Sequence, residues 1–320
     1  MTSRVRVFAP ASVSNLGPGF DVLGLAVYRP GDLVEAECGT GPGLEIVEVT
    51  GDEGQLPRDA TRNVAGVAGA SVLRELVSRG FTGSSDSPGV RLRVHKQMPL
   101  ASGLGSSAAS SVAGAMAVNE LFGAPLARHE LLPHALAGER AAAGSGHADN
   151  AAPCLLGGII LVRGYEPLEV LQLPVPPALR VVVVHPHARV ETSRARALLR
   201  GYGFPIEQAV ANLGNLGAFV AALYRGDLEL LGRTIEDRLV EPLRISLIPG
   251  YPEVKRAAVA AGALGCSISG SGPSIFALAG DDGTAGQVAA AMQQAFRDAA
   301  GLDSEAYAGP VNLAGAGRVA

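Results

Sequence analysis

Apolar and polar residues alternate along the first third of the chain. "RVRVFAP", "DLVEAEC", "LEIVEV" and "VRLRVHKQMP" each place apolar side chains at every second position, the period of a half-buried strand. Between the last two, 61–79 is read as a helix, so the first domain mixes strands and helices. After Pro99 the period changes. Ala109, Val112, Ala113 and Met116 recur at three- and four-residue spacing and predict a helix over 106–121, with Ser106 or Ser107 placed to cap it. A second helix is predicted over 128–143, with Leu132, Ala135, Leu136 and Glu139 on one stripe. "GSGHADNAAPCLLGGIILV" then reads as a loop entering a strand.

Three prolines in four residues within "LPVPPALRVVVVHP" break the chain near residue 176, which predicts domains over 1–176 and 177–320. Beyond that break the pattern gives helices near 192–200, 207–224, 227–238 and 252–262, then strands "CSISG" and "SIFALAG". A final helix over 284–299 and a strand near 305–313 close the chain. No internal repeat or heptad array is visible.

At 320 residues and 48% hydrophobic content, the chain can fill two cores. With 4% aromatics, no Trp and 42 glycines, those cores are aliphatic and suit layered packing of helices on sheets. A net charge of -4 without a Lys/Arg block gives no footprint for nucleic acid. The N-terminus has no apolar h-region, and no run approaches the roughly 20 apolar residues of a membrane span, so a cytoplasmic protein without a membrane partner is expected. Cys38, Cys154 and Cys266 follow no metal or redox spacing and read as buried thiols. His185 and His187 lack a third ligand nearby and make a poor metal site.

The chemistry begins at "PLASGLGSSAASS", residues 99–111. A glycine-rich turn can aim backbone N–H groups at one point, and a helix starting there adds the positive end of its dipole; together they suit a phosphate. Ser106 and Ser107 could add hydroxyls to a phosphate or a magnesium ion. Glu139 on an apolar stripe needs a cation or donors if buried; either a magnesium ion or a neighbouring arginine would serve. "SGSGPS" at 269–274 is a second glycine cluster, where close backbone approach to a loop or ligand is the usual reason for glycine.

Three stretches taken together, "PASVSNLGPGFDVLGLAV" at 10–27, "PLASGLGSSAASS" at 99–111 and "SISGSGPSIFAL" at 267–278, resemble in order and spacing the three motifs of the GHMP kinases. "SNLGPGFD", "GSGHADNAAP" and "EPLRISLIPGY" resemble the homoserine kinase branch of that superfamily in particular. The resemblance implies an α+β fold of two-layer sandwiches: an N-terminal domain like the second domain of ribosomal protein S5, a ferredoxin-like C-terminal domain, and a site in the cleft between them. It implies ATP and L-homoserine as substrates, Mg²⁺, and a place in threonine biosynthesis; a homodimer is compatible with it.

By the same resemblance the loop Pro99, Leu100, Ala101, Ser102, Gly103, Leu104, Gly105, Ser106, Ser107, Ala108 and Ala109 would wrap the triphosphate. Ser107 and Glu139 would hold the metal, and Asn63 and Lys96 would lie near the nucleoside. Arg196 and Arg244 would clamp the amino acid carboxylate, Asn15 and Asp21 would hold its amine and hydroxyl end, and Thr192, His147 and Asn150 would complete the pocket. Asn150, taken as the site residue in "HADN", cannot accept a proton, so catalysis is expected from positioning and charge stabilisation.

Overall fold

The computed structural model describes residues 4–83, 88–144 and 146–320; Ser145 of the "GSGHADNAAP" stretch lies outside them. The first sheet is built on β1 (Arg4–Ser14) and the 17-residue β2 (Leu23–Gly39), which run antiparallel. Their register shifts between Pro10 and Ser12, so one half of β2 pairs with the start of β1 and the other brings Gly24–Ala26 against Ser12–Ser14. β3 (Gly43–Thr50) leads through α1 (Val64–Ser78) to β4 (Gly89–His95), which lies parallel to β3 and antiparallel to β2.

Over this sheet pack α2 (Ser106–Leu121), α3 (Arg128–Ala143) and α4 (Ala148–Leu156), before the hairpin β5 (Ile159–Tyr165) and β6 (Leu168–Leu173) rejoins β2. α2 is buried on nearly every side, and its small residues let the neighbouring helices come close. A Cβ on Gly114 would sit 2.4 Å from the Ala65 carbonyl oxygen.

The second sheet has the order β10 (Ser304–Pro310), β7 (Arg180–Pro186), β9 (Ile275–Ala279), β8 (Gly265–Ile268), all antiparallel. Both faces of β7 are covered, which is why "VVVV" shows no alternation. Val182 and Val184 join the core under α9 (Tyr251–Ala260) and α10 (Asp282–Ala300). Val181 and Val183 face a larger core shared with the first domain, α6 (Ile206–Arg225) and α7 (Leu228–Arg233). The short helices α5 (Thr192–Ala197) and α8 (Glu241–Arg244) carry site residues between these layers.

The division near residue 176 is not the last word on topology. After β10 the chain crosses back, and β11 (Gly317–Val319) pairs with β1 in the first sheet. Ala316 N–H donates to the Cys154 carbonyl on the way. α4 was expected as loop, since glycines precede it and Pro153 lies within it. The helix expected to reach 238 stops at Arg233, because the Asp237 carboxylate takes the amides of Leu239, Val240 and Glu241 at 2.8–2.9 Å and turns the chain into α8. Cys154 and Cys266 are buried as expected, whereas Cys38, at the outer end of β2, is exposed. Among the described residues no helix is long and apolar enough to cross a membrane.

Candidate active site

Four successive carbonyls of the glycine-serine loop are turned outward. Ala101 accepts from Val190 N–H (3.2 Å), Ser102 from the Ser274 hydroxyl (2.7 Å), Gly103 from the Ser269 hydroxyl (2.7 Å) and Leu104 from Ser12 N–H (3.1 Å). Because a trans peptide sets C=O and N–H on opposite sides, the amides that follow face the cavity. Gly103 (φ +77°) and Gly105 (φ +67°) make the reversals, forming an anion nest at the head of α2. A Cβ at Gly103 would stand 2.6 Å from the Ser269 oxygen, so the "SGSGPS" cluster is the partner this loop requires. The capping expectation is corrected: Gly105 is the N-cap and makes no side-chain cap bond, while Ser106 and Ser107 are the first helical residues.

The cavity has a volume of about 140 Å³. Ala101, Ser102, Gly103, Gly105, Ser106, Ser107 and Ala108 line it, but Leu104 and Ala109 point into the core. Lys96, expected near the nucleoside, lies beneath the loop. Its ammonium is buried, pairs with Asp32, and donates to the Ser106 carbonyl (3.0 Å), the Ser106 hydroxyl (2.7 Å) and the Ser110 hydroxyl (2.9 Å). Asn63 likewise has a structural task, capping α1 by accepting from Ala65 N–H at 3.0 Å and donating to the Pro57 carbonyl at 2.8 Å. Neither residue lines the cavity.

Glu139 is buried on α3 and faces the loop, where the Ser107 hydroxyl donates to it. Among the described residues no arginine pairs with it; its other oxygen lies 3.8 Å from His147 Nδ1. The Glu139 carboxylate beside it raises the His147 pKa above the ordinary imidazole range, burial opposing. A serine hydroxyl and one carboxylate, both hard oxygen donors beside a phosphate nest, fit a magnesium ion that takes its remaining ligands from phosphates and water.

Across the cavity Arg196 and Asp21 form a two-pronged pair at 3.0 and 2.8 Å. The Arg196 and Arg244 guanidinium carbons lie 5.7 and 5.1 Å from the centre of the Phe20 ring. Arg244 is buried, and burial first, then the charge on Arg196, lowers its pKa to about 10. Asn15 is a strut: its amide nitrogen donates to the Gly270 carbonyl (2.8 Å) and its oxygen accepts from Asp21 N–H (3.1 Å). Asn15, Leu16 and Asp21 all have positive φ, a strained turn held by these bonds. Thr192, on α5, lies at the cavity rim beside Ser271.

Asn150 accepts from the Ser12 hydroxyl at 3.0 Å and lines the cavity. Asp149 lines it too, which the sequence reading did not anticipate. Burial first, then the charge of Asp21, pushes its carboxyl up to about 7. Among the described residues, six buried side-chain polar atoms have no partner. Four of them, Ser102 Oγ, Asp149 Oδ1, Arg196 Nε and Arg244 Nε, belong to residues of this one cavity. Buried polar atoms are ordinarily satisfied, so the concentration marks a place built for a polar ligand.

Two family models match the chain: "GHMP kinases N terminal domain" over residues 67–158 and "GHMP kinases C terminal" over 219–298. The chain is 45% identical over 316 residues to a homoserine kinase of Chloroherpeton thalassium, covering 98% of each. It is 44% identical to one of Chlorobaculum tepidum, covering 97% of this chain and 96% of the relative. A crystal structure of homoserine kinase from Cytophaga hutchinsonii superposes with a TM-score of 0.94 at 47% identity, covering 100% of this chain and 98% of that one. A mevalonate kinase from L. major shares the fold at 18% identity, with a TM-score of 0.70 and coverage of 98% and 97%.

Proposed function

This chain belongs to the homoserine kinase family of the GHMP kinases, and from that premise we propose how its cavity transfers a phosphoryl group from ATP to the side-chain hydroxyl of L-homoserine, giving O-phospho-L-homoserine, the reaction that serves threonine biosynthesis. The amides from Gly103 to Ser107 and the head of α2 receive the terminal phosphates of ATP. Ser107 and Glu139 would hold Mg²⁺, which when bound neutralises phosphate charge.

An α-amino acid is a zwitterion, and the Arg196–Asp21 pair offers its mirror image. The carboxylate takes the guanidiniums of Arg196 and Arg244, and the ammonium takes Asp21. The two unpartnered Nε–H groups support that assignment. The substrate hydroxyl is thereby aimed toward the nest, with Thr192, His147 and Asn150 shaping its side of the pocket. Its oxygen forms a bond to the γ-phosphorus as the bond to the bridging oxygen breaks and ADP departs. Asn150 positions. The hydroxyl proton goes to Asp149, whose carboxyl titrates near neutral pH, where a general base works best.

The observation that carries this reading is the clustering of four unpartnered buried polar atoms around one phosphate nest. ATP-dependent phosphate transfer to a panel of L-homoserine, mevalonate and galactose tests it, with Glu139→Gln as control. Activity with homoserine alone is expected, because mevalonate and galactose have no ammonium for Asp21. Preference for mevalonate would overturn the reading of Arg196, Arg244 and Asp21.

A further inference from the structure

We propose that His185, a residue of the second sheet that does not touch the cavity, is a positioning residue for ATP: through the Ser274 hydroxyl it locks the Ser102–Gly103 peptide with its N–H toward the phosphates. The inference rests on reading the 99–109 loop as the ATP site. All three members of the relay are buried, with His185 3% exposed on β7, Ser274 0% just before β9 and Ser102 1% in the loop. The β7–β9 register, which pairs Val184 with Ile275, sets His185 beside Ser274. Its Nδ1 lies 3.0 Å from Ser274 Oγ, and that Oγ lies 2.7 Å from the Ser102 carbonyl oxygen.

Hydrogen counting fixes the direction of the relay. A serine hydroxyl has one hydrogen to give and lone pairs to receive another. The Ser102 carbonyl can only accept, so the serine hydrogen lies on that contact. Ser274 Oγ must then accept from the ring, which places the imidazole hydrogen on Nδ1. Burial pushes the His185 pKa down to about 4, so at neutral pH the ring is uncharged and has a single hydrogen to place. In the other tautomer the hydroxyl would turn to Nδ1, leaving the carbonyl only the Ser274 N–H at 3.3 Å. A hydroxyl that accepts while it donates is polarised, and its bond to the carbonyl is the stronger for it.

What the relay restrains is a peptide flip. The Ser102 carbonyl and the Gly103 N–H belong to one planar unit and point opposite ways. Turning the carbonyl inward would withdraw the amide from the nest and aim a negative oxygen at the phosphates. Local conformation does not prevent this, because glycine at 103 accepts either sign of φ. The next peptide unit begins from strain as well, with Ala101 at φ +54°, a region that side chains avoid. The lock is therefore supplied from outside the loop.

Two-bond proton–nitrogen correlation spectra of the ligand-free chain at neutral pH read the tautomer, the His185 signal being the one of six that His185→Asn removes. Hydrogen on Nδ1 is expected; hydrogen on Nε2 overturns the relay. In calorimetric titration with ATP, His185→Leu and Ser274→Ala should each weaken binding by roughly tenfold, the worth of one hydrogen bond. The KM for L-homoserine should stay within about twofold. Because both changes act on one carbonyl, the double variant should bind ATP about as well as the weaker single one. His185→Asn keeps an N–H at the Nδ1 position and should bind within about threefold of wild type. Ring packing alone would lower the thermal stability of His185→Leu and His185→Asn and leave ATP affinity as it was, and that result overturns the proposal, as do equal effects on both substrates. Gly103→Ala tells the two readings apart. If it weakens ATP binding while His185→Leu and Ser274→Ala do not, the relay alone fails; if all three leave ATP binding intact, the loop is not the nucleotide site and the relay falls with it.

Discussion

Arg196 and Asp21, 175 positions apart in sequence, hold each other at 2.8 and 3.0 Å across the mouth of the cavity. The pair keeps both charges in place before the amino acid arrives, one from α5 and one from the turn after β1. Lysine keeps the charge at position 196 and loses the fork. Arg196→Lys should therefore raise the KM for L-homoserine by roughly 10- to 100-fold, while the KM for ATP stays within about threefold. Steady-state kinetics with each substrate varied in turn checks this; an equal effect on ATP would remove Arg196 from the amino acid site.

Lys96 supports the phosphate loop from beneath. Its side chain is 1% exposed and that of Asp32 0%. Removing one member of such a pair strands the other charge, at a cost of about 3–5 kcal/mol, so Lys96→Met should lose that much in urea unfolding. Adding Asp32→Asn should recover part of it. If Lys96→Met unfolds like wild type and only ATP binding suffers, Lys96 is a ligand contact after all.

At Gly103 both conformation and space exclude a side chain. Gly103→Ala should cost about 1–3 kcal/mol of stability from the positive φ and the contact with Ser269, and weaken ATP binding more than homoserine binding. Gly41→Ala is the control, since a Cβ there meets nothing within 4 Å and its φ is ordinary. Thermal unfolding of the two variants, each with and without ATP, separates the effects.

Glu139 and Asn150 face the same cavity with different tasks. Replacing the carboxylate removes a charge for which a metal would compete, whereas replacing Asn150 frees the Ser12 hydroxyl and leaves the nest intact. Glu139→Ala should lower kcat by about 100-fold or more and shift activity to higher Mg²⁺ concentration, with Asn150→Ala losing less. A larger loss at Asn150 that Asn150→Asp restored would place the base at 150.

Strands of alternating pattern and the helix over 106–121 were legible because one face of each element settles its period. What the sequence left hidden depends on contacts between distant segments. Lys96 looks like any cation beside a phosphate loop until Asp32, 64 positions away, is seen to claim it. Asp149 and Asn150 are adjacent polar residues with no periodic context, and only α4 brings both to the cavity. The return of β11 to the first sheet carries no local signal, because "AGAGRVA" is too short and glycine-rich to announce a strand.

Asp149 yields opposite expectations for stability and activity. An aspartate titrates near 3.8 in the unfolded chain and at about 7 in this cavity. Between those values the native state binds the extra proton, so stability contributed by this group is fully present below about pH 4 and declines by up to about 1.4 kcal/mol per unit until pH passes 7. Asp149→Asn removes that decline. The variant should gain on wild type at pH 8 and match it at pH 4 in urea unfolding. Activity should move the other way: wild-type kcat rises as pH climbs through about 7, because a base must be ionised to take the hydroxyl proton. In the variant kcat should fall by roughly 10²- to 10⁴-fold and lose that limb. His147, whose pKa is also raised, is the competing source of such a limb. A limb that persists in Asp149→Asn and vanishes in His147→Asn would assign the proton to the imidazole.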